Sequence, residues 1–130
     1  MERMMKYMTI SDAIARIDNL KPNRFDLADK IRWLSELDGR IKNEIIDTHE
    51  GGDDSEFIGY GEDTDINTVL LVPYPYDDIY IRYLEMQIDY ANGETAKYTN
   101  SSTLFNEAYV SFIRYYNRTF MPKSSRSKYF

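Results

Sequence analysis

The chain contains no cysteine, a single histidine (His49), a single tryptophan (Trp33) and only four prolines. Without cysteine, disulfides and thiolate metal sites are excluded, which suits a reducing compartment or an assembled particle. One histidine excludes a multi-histidine metal centre within one chain. No apolar run approaches the roughly 18 residues a membrane helix needs. The opening Met1–Met8 lacks the apolar stretch of a secretory signal, and Met8 is the more natural beginning of the folded part. Glycine is also sparse, and neither Gly51-Gly52 nor Gly59-Tyr60-Gly61 is followed by the lysine and helix start of a phosphate loop. Positive charge is scarce except at one end. Net charge is -6, yet from Arg118 onward there are four cations and no carboxylate, leaving twelve cations against twenty-two carboxylates in residues 1–117. An acidic body repels nucleic-acid phosphates, so sequence-specific nucleic-acid binding is not expected.

Tyrosine is abundant. Nine of the twelve lie between Tyr74 and Asn117, a density that must either fill a core or meet a partner. At 130 residues the chain has the length of one domain, able to bury about two-thirds of its unfolded surface.

Periodicity predicts a mainly α fold: a compact bundle of about four helices, with a small β-hairpin or extended excursion between helices 2 and 3. Residues 1–8 read as a flexible N-terminal extension, 9–117 as a single helical domain, and 118–130 as a basic, aromatic tail. The first helix opens at Thr9 or Ser11 as N-cap, carries Ile10, Ala13, Ile14, Ile17 and Leu20 on one face, and stops at Lys21-Pro22-Asn23. The second starts after Asn23 or Asp26 and runs to about Asp47, with Leu27, Ile31, Leu34, Leu37 or Asp38, Ile41 and Ile45 as its stripe and Trp33 flanking the core. Gly39 leaves room for a close helix contact. Phe57–Tyr60 and Val69–Val72 are short, β-branched or aromatic and bounded by turn formers, as two hairpin strands would be. Pro73–Tyr76 opens the third helix and Asn92-Gly93 ends it. The fourth starts at Glu94, or re-forms after Thr99–Ser102. Its expected core stripe, including Leu104, Ala108 and Phe112, faces Ile79, Tyr83 and Met86 of helix 3.

Two patterns invite chemistry. From Asp47 to Asp65 there are eight carboxylates and no lysine or arginine, and His49, Glu50, Asp53, Asp54, Glu56 and Asp63 include the ligand types that hard cations take. The spacing matches neither HExxH nor an EF-hand, so the expectation is a solvated loop with no metal and no cofactor. Tyr115 between Arg114 and Arg118 has a nucleophile's neighbours, but the remaining arginines and histidine of a recombinase site are absent, and a core or interface role fits better.

Asp29-Lys-Ile-Arg-Trp33-Leu, Glu44-Ile-Ile-Asp-Thr-His-Glu50, Val72-Pro73, Tyr80 to Leu84, Gln87-Ile-Asp89, Asn92-Gly-Glu94 and Tyr115-Tyr-Asn-Arg118 together resemble the small head–tail connector (adaptor) proteins of tailed phages and prophages, over about Thr9 to Pro122. The resemblance implies a non-enzymatic structural subunit of a ring that joins the phage portal protein to tail or stopper proteins. It places the protein in the host cytoplasm during assembly and at the virion head–tail junction afterwards. Whether the subunit is a monomer before assembly stays open. The alternative is a small phage accessory or regulatory binding protein, such as a tail-assembly chaperone or a host-factor inhibitor; a metal-dependent enzyme is the third class. In the adaptor reading Arg118, Phe120, Met121, Lys123, Arg126, Lys128, Tyr129 and Phe130 form a docking arm. Its aromatic anchors and cations would order only on a partner, so truncation after Arg118 is expected to leave the fold nearly unchanged.

Overall fold

The computed structural model describes residues 6–52 and 55–123. Four helices carry the fold: α1 (Ile10–Leu20), α2 (Leu27–Glu44), α3 (Asp78–Ala91) and α4 (Thr95–Thr119). A two-stranded antiparallel sheet joins β1 (Tyr7–Thr9) to β2 (Val69–Pro73), with Tyr7 opposite Pro73 and Thr9 opposite Val69. The expected excursion between α2 and α3 is present, and β2 is its only strand among the described residues. Phe57–Tyr60 is not a strand; β2 pairs with the chain's beginning instead. Tyr7 and Met8, expected in a flexible extension, are thereby tied down, and Met8 is buried.

The first two helices start where a side chain accepts from a free amide of the first turn. Thr9 and Asp12 form a capping box, with each side chain accepting from the other's backbone N–H at 3.0 and 3.2 Å. The next amides of α1, Ile10 and Ser11, donate to Thr68 and Ile66 of the excursion at 3.0 and 2.9 Å. Asp26 accepts from Asp29 N–H at 3.0 Å and sets the start of α2. Gly93, at φ +71°, closes α3, and Glu94 N–H returns to Asp89 O at 3.0 Å.

The core draws on every helix and on β2. Ile10, Ile17, Leu34, Leu37, Ile41, Leu70, Val72, Ile79, Tyr80, Leu84, Ile88 and Phe112 are its largest fully enclosed members. Trp33 is buried, edge-on to Phe25 at 5.5 Å. Leu20 and Leu27, placed on the apolar faces by spacing, are exposed: each lies at a helix end, beyond the reach of the neighbouring elements. Among the described residues no helix approaches Gly39: its neighbour is the ring of Phe57 in the excursion, 3.7 Å from where a Cβ would stand.

The α3–α4 pair makes the most extensive helix contact in the molecule. Ile79, Tyr83 and Phe112 are buried, and Met86 and Ala108 are partly buried against the core. The buried line on α4 is nevertheless Ser101, Phe105, Tyr109, Phe112 and Tyr116, one residue round from the expected stripe, and Leu104 stands only half-buried beside it. The polar tips decide the rotation. Ser101 Oγ donates to the buried carboxylate of Asp89 at 2.9 Å, which also meets Lys21 Nζ at 2.9 Å. Tyr109 Oη donates to Glu44 Oε1 at 2.6 Å, beneath the guanidinium of Arg40. Thr99 to Ser102 do not interrupt α4, because Thr99, Ser101 and Ser102 hydroxyls bond back to carbonyls one turn earlier.

Candidate partner-binding site

Beyond α4 the chain turns extended at Phe120 and runs antiparallel to Thr48–Glu50. Glu50 N–H donates to Met121 O at 2.7 Å, Lys123 N–H donates to Thr48 O at 2.8 Å, and His49 bridges Pro122 between them. The Phe120 ring packs on Tyr116 at 4.5 Å. The expected arm therefore divides. Arg118 belongs to the last turn of α4, where its guanidinium reaches Tyr76 Oη at 3.4 Å. Phe120 packs against the core, while Met121 and Lys123 are exposed. Arg126, Lys128, Tyr129 and Phe130 lie outside the described residues.

His49 is the rivet of this joint. It is buried, with Nδ1 2.6 Å from Ile45 O, Nε2 2.7 Å from Asn117 Oδ1, and its ring edge-on to Tyr116 at 4.9 Å. Both nitrogens are thus engaged away from the acidic loop. Glu50, Glu56 and Asp63 are exposed, Asp53 and Asp54 lie outside the described residues, and among the described residues no group of three or more His, Cys, Asp or Glu is placed to hold a metal ion.

Between this joint and the sheet lies an open groove of about 480 Å³, walled by Tyr7, Leu71 and Pro73 on one side and by Phe112, Tyr115 and Phe120 on the other. None of its lining residues carries a charge. Gly51 and Gly52 form its end wall. Gly51 sits at φ +82°, and a Cβ on Gly52 would stand 2.4 Å from the Tyr116 hydroxyl, so only glycine lets the loop approach this closely. Tyr76 stacks on Tyr115 at 4.6 Å behind the groove, which places Tyr115 in an aromatic stack. Burial, and then the neighbouring Tyr115, raise the Tyr7 phenol above its usual value. A second aromatic surface occupies the far end of the α3–α4 pair, where Tyr90, 69% exposed, meets Tyr98 at 5.4 Å. The length of α3, 14 residues or about 20 Å, separates the two.

One further polar site escapes simple periodicity. Asp38 is fully buried with no cation beside it. Tyr80 Oη donates to its Oδ1 at 2.7 Å, while Tyr60 Oη and Leu71 N–H donate to its Oδ2 at 2.5 and 3.1 Å. Val72 N–H in turn donates to Tyr80 Oη at 2.8 Å. Burial outweighs these donors and raises the carboxyl to about 6. The cluster fastens α2 to α3, to β2 and to the excursion at Tyr60. Its one sequence signal is an aspartate on an otherwise apolar helix stripe.

No protein-family model, curated protein or solved structure matches the chain. No described helix is long and apolar enough to cross a membrane.

Proposed function

We propose that this chain is a non-catalytic structural subunit of a tailed phage, a head–tail connector that joins the portal ring to the tail or its stopper. The observation that carries the reading is the pair of unlike aromatic surfaces at opposite ends of the α3–α4 hairpin. A ring closes through heterologous contacts, which need two different patches on each subunit. The uncharged groove bordered by Tyr7, Phe112 and Tyr115 and the pair of exposed Tyr90 with half-buried Tyr98 meet that requirement. Tyrosine suits such contacts, since it brings large area, few rotors and a polar tip. The sequence resemblance then supplies the portal and the tail or stopper proteins as partners.

The test mixes the purified chain with portal rings of the same phage and examines the product by sedimentation and electron microscopy. The expected result is a second ring on the portal, lost in Tyr90→Glu and in Leu71→Glu while the melting temperature of each variant stays within a few degrees of the parent. A chain that stays off the portal overturns the reading. If it instead forms a one-to-one complex with a tail protein or a host protein, the accessory or regulatory alternative takes its place.

A further inference from the structure

We propose that segment 57–60 of the excursion is a latch on α2, shut while Asp38 is protonated and opened locally, ahead of the bundle, as that carboxyl ionises. Three observations lead there. The first is how little else holds the segment. It belongs to no strand or helix, and among residues 56–61 the hydrogen bonds that reach α2 both start at Tyr60. Its N–H donates to Ser35 Oγ at 2.9 Å and its Oη to Asp38 Oδ2 at 2.5 Å. The rest is packing: the Phe57 ring lies beside Gly39 and edge-on to Tyr60 at 5.2 Å, while Ile58 is 90% exposed. Gly59, at φ +91°, brings the backbone close to α2, with Ser35 Oγ 3.1 Å from where its Cβ would stand.

The second observation is the side from which water can come. Two of the three donors to Asp38 sit on elements packed into the core, Tyr80 on α3 and Leu71 on β2, and Tyr80 is fully enclosed. Tyr60 is only half-buried, so it covers the carboxyl on the solvent side. The third is charge. Among the described residues no cation or second carboxylate faces Asp38; the groups that meet it are the phenols of Tyr60 and Tyr80 and the Leu71 amide. Lys42, one turn further along α2, is paired with Asp47, and Glu56, Glu62, Asp63 and Asp65 of the excursion are exposed. Burial, and then Asp38 itself, raise both phenols above their usual value, so they stay donors at neutral pH. A carboxylate ionised in such a place gains by hydration, and lifting Tyr60 hydrates it without disturbing the core. Closed, burial holds the carboxyl at about 6; reached by water, it approaches the ordinary 3.8. Ionisation therefore favours opening. The open fraction is smallest below about pH 4, grows as pH rises through 6 and then levels off, by up to about a hundredfold in all. The latch thus uncovers the Phe57 and Tyr60 rings and α2 around Gly39 more often at neutral pH than in acid. This inference is independent of the portal reading, which is judged by ring binding.

The experiment follows amide hydrogen exchange in the full chain by nuclear magnetic resonance from pH 4 to 7.5, with each rate corrected for the intrinsic pH dependence of exchange. Tyr60 N–H reports the latch, and Leu84 N–H, inside α3, reports the bundle. Tyr60 protection is expected to fall by up to about a hundredfold across this range and to stay below that of Leu84 throughout. The carbon-13 shift of the Asp38 carboxyl gives its titration in the same sample, and the two curves should share a midpoint. In Asp38→Asn, Tyr60 protection should no longer depend on pH. If that variant does not fold, the shared midpoint in the parent decides, and midpoints more than about one pH unit apart overturn the proposal. Tyr60 protection that is flat in the parent, or that follows pH equally in parent and Asp38→Asn, also overturns it. So does protection equal to that of Leu84 at every pH, because the segment then opens only with the whole molecule.

Discussion

Asp38 shows what a single residue can impose. A carboxylate with no cation and three donors is ionised against the cost of burial, and its folded value, about 6, stands above the ordinary 3.8. A group shifted upward favours the fold in its protonated form. Its contribution is therefore complete below about pH 4 and is lost as pH rises through 6. From the size of the shift, stability measured by urea unfolding should fall by something of the order of 3 kcal/mol between pH 4 and 7.5 on account of this residue. Asp38→Asn should remove that slope, so that the difference between parent and variant changes with pH. A difference that stays constant from pH 4 to 7.5 would show that Asp38 does not titrate in this window. The aspartate's place on the stripe is legible in the spacing of α2, where Leu37 and Asp38 compete for the inward position. Its partners are not, because Tyr60 and Tyr80 lie 22 and 42 residues away and no local pattern links them.

At the level of elements, α4 marks the boundary of what periodicity resolves. Leu104, Ala108 and Tyr115, and Phe105, Tyr109 and Tyr116, lie on adjacent lines of one helix, share the position of Phe112 and satisfy the same three- and four-residue spacing. Choosing between them takes the hydroxyl contacts of Ser101 and Tyr109 with carboxylates on other helices. Phe112→Ala should cost about 3–5 kcal/mol, as expected of a fully enclosed ring. Leu104→Ala, at the half-buried rim, should cost less than about 1.5 kcal/mol. Equal losses in chemical denaturation would return the helix to the other face. The end of α4 carries a second correction. Cutting after Arg118 would remove Phe120 from Tyr116 and both backbone bonds to Thr48 and Glu50, so the fold should lose of the order of 2 kcal/mol. Cutting after Lys123 should leave the melting temperature unchanged. If the two truncations melt alike, Phe120 does not belong to the core.

For the molecule as a whole, the four-helix count, the helix stops at Lys21-Pro22 and Asn92-Gly93, and the excursion between α2 and α3 follow from capping chemistry and hydrophobic spacing. The sheet does not. Strand β1 is only three residues long and lies in a methionine-rich opening with no alternation, so nothing local nominates it as the partner of β2. The same long-range pairing hides the course of Phe120–Lys123, which reads in isolation as a free end. Together these two pairings do something neither does alone. The beginning of the chain is stitched to the excursion's exit at Val69–Pro73, and the chain beyond α4 is stitched to its entrance at Thr48–Glu50. Pulled by its two ends, the molecule would feel the load first at these seams, ahead of any helix. They would open by peeling, and the excursion would be freed at both roots before the bundle itself gave way.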